Sequence, residues 1–208
     1  MTIMTRDDAR TILEKVVALS KADGCEANLS GSVEGNIRYA RNSVSPAGET
    51  RNVDLVVQCN YGKKVGTATI NEFADASLAK VVARAEETAK LAPESPEFMP
   101  VLAQQKYAEG KAFVQTTADI KPEYRAEAAA ASIAPAAKNE ATAAGFLNDS
   151  AGFSAMMNSE GLFAHHTETN VNFTVTVRTD DGTGSGWASS DDNDVSRIDT
   201  SATSEVAL

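Results

Sequence analysis

Basic residues are the first scarcity in this chain. Among its 208 residues, 19 Lys and Arg stand against 29 Asp and Glu, a formal net charge of -10. Nucleic-acid binding depends on neutralising phosphates, so this balance argues against DNA or RNA as a partner and for a well-solvated acidic exterior. Long apolar runs are missing as well. No stretch of eighteen or so apolar residues occurs, which excludes a membrane-spanning helix. The start, MTIMTRDDARTILEKVV, lacks a basic region followed by an unbroken apolar core and does not read as a secretory signal. Cysteine is limited to Cys25 and Cys59, both in strand patterns and far apart in sequence. Buried thiols in a reducing compartment are expected, with a disulfide open to them if their strands are neighbours. The expected location is the cytoplasm.

Histidine is equally sparse. His165 and His166 are the only two, and side chains adjacent on a predicted strand point to opposite faces, so they cannot share a metal. The glycine-rich run Gly182 to Gly186 invites a phosphate-loop reading, but Trp187-Ala188-Ser189-Ser190 continues as strand and no Walker lysine follows. Asp191-Asp192-Asn193-Asp194 lacks the glycine and terminal Glu of a calcium loop and reads as a solvated acidic turn. Cys59 sits in an apolar strand, where a thiol loses reactivity, and Ser159 lies in a turn where it fixes a bend. No catalytic, cofactor-binding or metal-ligating residue is therefore expected.

What is present is a succession of regular elements. Thr5 with Asp8 forms a capping box for a helix whose inner stripe is Ala9, Ile12, Leu13, Val16, Val17 and Leu19, ended by Gly24. Cys25, Ala27, Leu29 and Val33 alternate with polar residues, and Ile37 and Tyr39 do so again beyond Glu34-Gly35-Asn36, which predicts two strands separated by a turn. Val53, Leu55, Val57 and Cys59 form a third. After the Asn60-Tyr61-Gly62-Lys63 turn, Val65 to Thr69 forms the fourth. Asn71 or Asp75 caps a helix with Leu78, Val81, Val82, Ala85 and Ala89 inward and Lys80, Arg84, Glu86, Glu87 and Lys90 toward water. Short connections favour an α+β fold, an antiparallel sheet with helices on one face.

Pro93, Pro96 and Pro100 punctuate a linker over 93–121, with one short helix expected at Val101 to Tyr107. An alanine-dense helix follows from Asp119 or Lys121, with Pro122 in its first turn and Pro135 expected to kink or break it. Its alanines allow close packing but bring little hydrophobic mass. A strand meander begins near Phe146, turns at Asn158-Ser159-Glu160-Gly161 and again at Asp181-Gly182, and a helix with Ala202, Val206 and Ala207 as its stripe starts at Asp199 or Thr200. That helix is too short to stand alone, so a longer polypeptide is expected. The organisation is thus an amino-terminal α+β domain over 1–92, the linker, and a second helix-plus-antiparallel-meander segment over 122–208, truncated at its carboxy end.

The order of strand, turn with Gly and basic residues, Val65-Gly66-Thr67-Ala68-Thr69, then a helix with Ala79-Lys80-Val81-Val82-Ala83-Arg84-Ala85-Glu86, resembles the amino-terminal domain of the TldD/PmbA family; Asn158-Ser159-Glu160-Gly161 extends the likeness. That family is known for zinc peptidases and, under an older name, as modulators of DNA gyrase. The resemblance implies a large further carboxy-terminal domain holding zinc on a helix with His-Glu-x-x-x-His, a motif this chain lacks. It implies that the present part shapes a substrate chamber and a subunit contact, in a homo- or heterodimer with a family member. Peptides or unfolded polypeptides would be its substrates, added to an exposed sheet edge. The alternative it leaves is a non-catalytic partner subunit or peptide-binding assembly module.

Overall fold

The computed structural model describes residues 3–208. Helix α1 (Arg6–Leu19) leads into β1 (Gly24–Ala40), β2 (Ser43–Tyr61) and β3 (Lys64–Ile70), followed by α2 (Asp75–Leu91). An irregular stretch, 92–114, then gives way to α3 (Gln115–Ala118), α4 (Pro122–Lys138), β4 (Ala141–Asn158), β5 (Phe163–Thr179), β6 (Ser185–Asp192) and α5 (Thr200–Ala207). All six strands form one antiparallel sheet in the order β3-β2-β1-β4-β5-β6. The fold class is α+β, as the sequence predicts. Residues 1–92 supply one half of the sheet and 122–208 the other, joined where β1 pairs with β4 from Glu26 with Asn158 to Tyr39 with Gly145.

Strand alternation decides where the helices go. Odd-numbered residues of β1 and β4 point to one face along almost their whole length, and that face carries the apolar side chains. At one end Cys25, Ala27, Leu29, Leu55, Val57, Cys59, Phe153 and Ala155 meet α1 and α2 through Leu13, Val16, Leu78, Val81 and Val82. At the other end Ile37, Tyr39, Ala143, Leu147, Phe173, Val175 and Val177 meet α4 and α5. The opposite face carries no helix. Its side chains are Asn28, Ser30, Ser32, Ser154, His166, Asn170 and their neighbours, all at least partly exposed.

Several expectations need correction. The two strands predicted on either side of Glu34-Gly35-Asn36 are one strand, β1. No turn forms there because the Arg125 guanidinium lies where a Cβ on Gly35 would be, and it pairs with Asp149 on the next strand. The reversal comes at Arg41 and Asn42, with φ of 53° and 56°. Asn42 is held there by Ala143 N–H donating to its Oδ1 (2.7 Å) and its own Nδ2 donating to the Ala141 carbonyl (3.0 Å). The same clamp starts β4 five residues before Phe146.

Residues 101–107 form no helix. Three prolines precede them, and their backbone is drawn to the sheet, where Asn158 Nδ2 donates to the Leu102 carbonyl at 2.8 Å. Pro135 does not break α4, which runs on to Lys138; the proline removes only its own bond to the Ala131 carbonyl, and the helix ends three residues later. The residue capping α2 is Ala74 rather than Asn71 or Asp75. Glu86, expected in water, is 9% exposed. Leu19 of the predicted α1 stripe is exposed, and in α5 Ser204 and Ala207 are buried while Val206 is 76% exposed. Gly186 sets that rotation, since a Cβ there would strike the Ala207 carbonyl.

Candidate functional site

The uncovered sheet face holds two adjoining hollows of about 460 Å³ and 300 Å³. They share Ser30, Ser154 and His166. Sheet register explains the sharing. Asp54, Ser30, Ser154 and His166 are successive cross-strand partners on β2, β1, β4 and β5, a polar row across four strands. Asn28 and Met156 flank the row on one side, and Ser32, Gly152 and Glu168 on the other. One wall is not sheet at all: Tyr107 and Ala108 of the irregular stretch close the larger hollow.

That wall is tied down at both ends. Buried Asn158, 2% exposed, donates to Leu102 O while its Oδ1 accepts from Glu160 N–H (3.0 Å) and Leu162 N–H (3.1 Å). Gly161 completes the turn with φ of 83°, a conformation that favours glycine. The expected turn at Asn158-Ser159-Glu160-Gly161 therefore forms and anchors the wall. At the far end Thr169 N–H donates to Ala112 O (3.0 Å), and Val114 N–H donates to Thr169 Oγ1 (3.0 Å). Between them Gly110 passes over His166, so closely that a Cβ would lie 3.3 Å from the ring.

The row does not assemble a nucleophile and base. A serine is activated by a base within hydrogen-bond reach, about 2.6–3.2 Å. His166 Nε2 instead faces Glu168 Oε2 at 3.7 Å, and both side chains are well exposed. The arrangement is a lining of short hydroxyl and amide groups with one imidazole and the carboxylates of Asp54 and Glu168, able to exchange hydrogen bonds with an extended backbone.

His165 lies on the covered face. Its ring stacks on Phe153 at 6.5 Å between centroids, and its Nε2 has no hydrogen-bond partner among the described residues. Burial first, then the charges of Arg6 and His166, push its pKa down, so it stays neutral. Zinc, which the family resemblance implies, does not fit the residues present. The two histidines diverge, and among the described residues no three His, Cys, Asp or Glu side chains converge on a point. The carboxylates of the acidic stretch are already partnered: Asp191 accepts from Asn170 and Asn172 of β5, and Asp194 accepts from Ser196 N–H. At the glycine-rich run, Asp181 accepts from the Thr179 hydroxyl and from the N–H and hydroxyl of Thr183, holding its carboxyl down at about 2. It is a closed hairpin.

Two family models match: PmbA/TldA metallopeptidase domain 1 over residues 25–89, and the PmbA/TldA metallopeptidase central domain over 111–207. The chain belongs to the PmbA/TldD family. Among solved structures it is similar to TldE from Thermococcus kodakarensis, with a TM-score of 0.83 and 16% identity over 95% of this chain and 46% of that one. A candidate modulator of a DNA gyrase from Thermotoga maritima gives 0.79 and 12%, with 95% and 46% covered. One of Bacteroides thetaiotaomicron gives 0.80 and 11%, with 99% and 49% covered. At these identities the likeness is one of fold. The PmbA/TldD chain described here spans about half the length of those structures. No curated protein matches it.

Sequence reasoning named no site residue, and the polar row was outside its reach. Alternation shows that Ser30 and Ser154 face away from the core; only register shows that they are neighbours.

Proposed function

We propose that this chain forms the substrate-chamber wall and a subunit contact of a PmbA/TldD-type zinc-dependent peptidase acting on polypeptides. The metal centre of such a peptidase belongs to a part of the protein outside these residues. The observation that supports the reading is the polar trough and what it opens onto. β3 pairs with β2 only from Leu55 to Tyr61, so residues 43–54 of β2 have no outer partner strand among the described residues. Asn52 and Asp54 on that edge also line the trough. An extended polypeptide can add to the edge through main-chain hydrogen bonds, with the Ser and Asn side chains beside it taking any sequence. Short polar groups, with the Asp54 and Glu168 carboxylates at the margins, suit a wet chamber, since hydroxyls and amides bind backbone without demanding a particular side chain.

Location in the cytoplasm and pairing with a family member complete the proposal. Among the described residues no helix is long and apolar enough to cross a membrane. The deciding experiment assays the full-length protein with zinc for cleavage of unfolded peptides. Cleavage abolished by a chelator and restored by zinc supports the reading, and inactivity with zinc bound rejects its enzymatic part. Peptide binding without cleavage, weakened by Pro at Glu49 or Arg51, whose N–H groups point away from β1, assigns the chain to a non-catalytic partner.

A further inference from the structure

The two cysteines face each other. β1 and β2 place Cys25 directly opposite Cys59, both free and at most 1% exposed, on the covered face. Cys25 directs its main chain to the other neighbour: its N–H donates to Ser159 Oγ at 3.2 Å, and its carbonyl accepts from Ser159 N–H at 2.8 Å. In an antiparallel ladder the pair with Cys59 is then of the non-hydrogen-bonded kind, with Cα atoms about 4.5 Å apart. Disulfides span Cα separations of about 4.4–6.8 Å, so no strand has to move far. Each thiol shifts the other's pKa, Cys25 upward and Cys59 downward, as side chains in close reach do. The neighbouring inward pair, Ala27 with Val57, shows that packing at this level of the sheet needs no sulfur.

Polar groups surround the pair. Ser20 Oγ, at the end of α1, lies 3.7 Å from Cys59 Sγ and donates to Glu86 Oε1 at 3.1 Å. Lys21 N–H donates to the same carboxylate oxygen at 2.6 Å. We propose that Cys25 and Cys59 are a site of reversible oxidation, closing a cross-strand disulfide at the root of the β1–β2 arm. A small-molecule disulfide such as oxidised glutathione is the co-reactant. The Cys59 thiolate attacks one of its sulfurs and releases one glutathione thiolate; the Cys25 thiolate then attacks the Cys59 sulfur and releases the second. Two protein thiols become one disulfide, one glutathione disulfide becomes two glutathione thiols, and the two protons pass to solvent and the released thiolates.

The hydrogen bond from Cys25 favours the ionised form of Cys59 and so makes it the attacking sulfur, while donating that bond, together with burial, pushes the Cys25 thiol upward. Ser20 and Glu86 close over both, so exchange in the folded state waits on local opening of α1 and α2. The bond fixes the base of the arm whose outer edge borders the trough.

The test avoids the access problem by refolding. Reduced protein is unfolded in urea, diluted into glutathione buffers of graded oxidised-to-reduced ratio, quenched with acid, alkylated in denaturant and weighed. The expected product carries no alkyl group and no glutathione, has lost two hydrogens, and replaces the doubly alkylated chain around a single ratio. It should melt roughly 5–10 °C above the reduced form, since a disulfide contributes about 2–4 kcal/mol and each kcal/mol shifts a chain of this size by about 2–4 °C. Cys59→Ser refolded the same way should end with Cys25 as a single alkylated thiol at every ratio and with no rise in melting temperature. Two alkylated thiols at every ratio, accumulation of adducts or dimers in the unmutated protein, or an oxidised form that melts no higher would overturn the proposal.

Discussion

Under α1 and α2 the sheet meets Leu13, Val16, Leu78, Val81 and Val82, whereas under α4 it meets mostly Ala128, Ala129 and Ala136. The first end buries apolar surface in the ordinary way. Alanines let α4 sit close but supply little surface to bury, and the second end adds buried polar contacts instead. Arg125 and Asp149, with side chains 4% and 5% exposed, form a two-bond pair at 2.6 Å and 2.8 Å. Tyr39 Oη donates to Ser132 Oγ at 2.8 Å, and Ser132 meets Ser204 at 2.7 Å, linking sheet, α4 and α5. Apolar shape tolerates approximate fit, but a buried charge pair specifies one arrangement and penalises the loss of either member. One end is therefore governed by volume and the other by hydrogen-bond completeness.

Four measurements sharpen or break that contrast. The largest effect is expected from Arg125→Ala, which strands a buried carboxylate and should cost about 3–5 kcal/mol by urea unfolding. Replacing both partners with apolar residues, Arg125→Met with Asp149→Leu, should recover most of it; a double variant as unstable as the single one would show that the pair is not the cause. Next, Leu13→Ala at the other end should cost about 3 kcal/mol through its cavity. Leu13→Met should cost well under half of that, because volume is what matters there.

Tyr39→Phe ranks third, at about 1–2 kcal/mol, because it leaves the Ser132–Ser204 pair without its donor. The smallest effect is a pH dependence. His165 has its pKa lowered by burial, so the unfolded chain takes up a proton near the ordinary value before the folded one does. Its contribution is whole above pH about 6.5 and is lost as the pH falls below that, toward the folded pKa. Melting temperature should decline between pH 7.5 and 5.5, and His165→Phe should flatten the decline; an equal slope in the variant would assign it to other groups.

Much of this frame was legible in the residues. The alternation of Cys25 to Val33, Val53 to Cys59 and Val171 to Val177, and the stripe Leu78 to Ala89, each place a buried face correctly, since local periods of two and 3.6 are written in consecutive residues. The failures share a cause. Gly35 reads as a turn because Arg125, far along the chain, is not beside it in the sequence. Glu86 reads as solvent-facing because its partners, Lys21 N–H and Ser20, come from the end of another helix. Burial alone would raise that carboxyl, and those two donors, with the Tyr61 hydroxyl and the Lys90 charge, together outweigh the burial and hold it below its ordinary value. The polar row was hidden for the same reason, as it exists only once four strands are in register.

Strand length has a last consequence. β1 and β4 are 17 and 18 residues long, so each is a continuous beam of roughly 55–60 Å reaching beneath both helix pairs. Melting either end separately would tear a ladder partway along rather than at a natural seam. Although two separate family models match this chain, its halves are therefore mechanically one body, and a calorimeter should record a single cooperative peak.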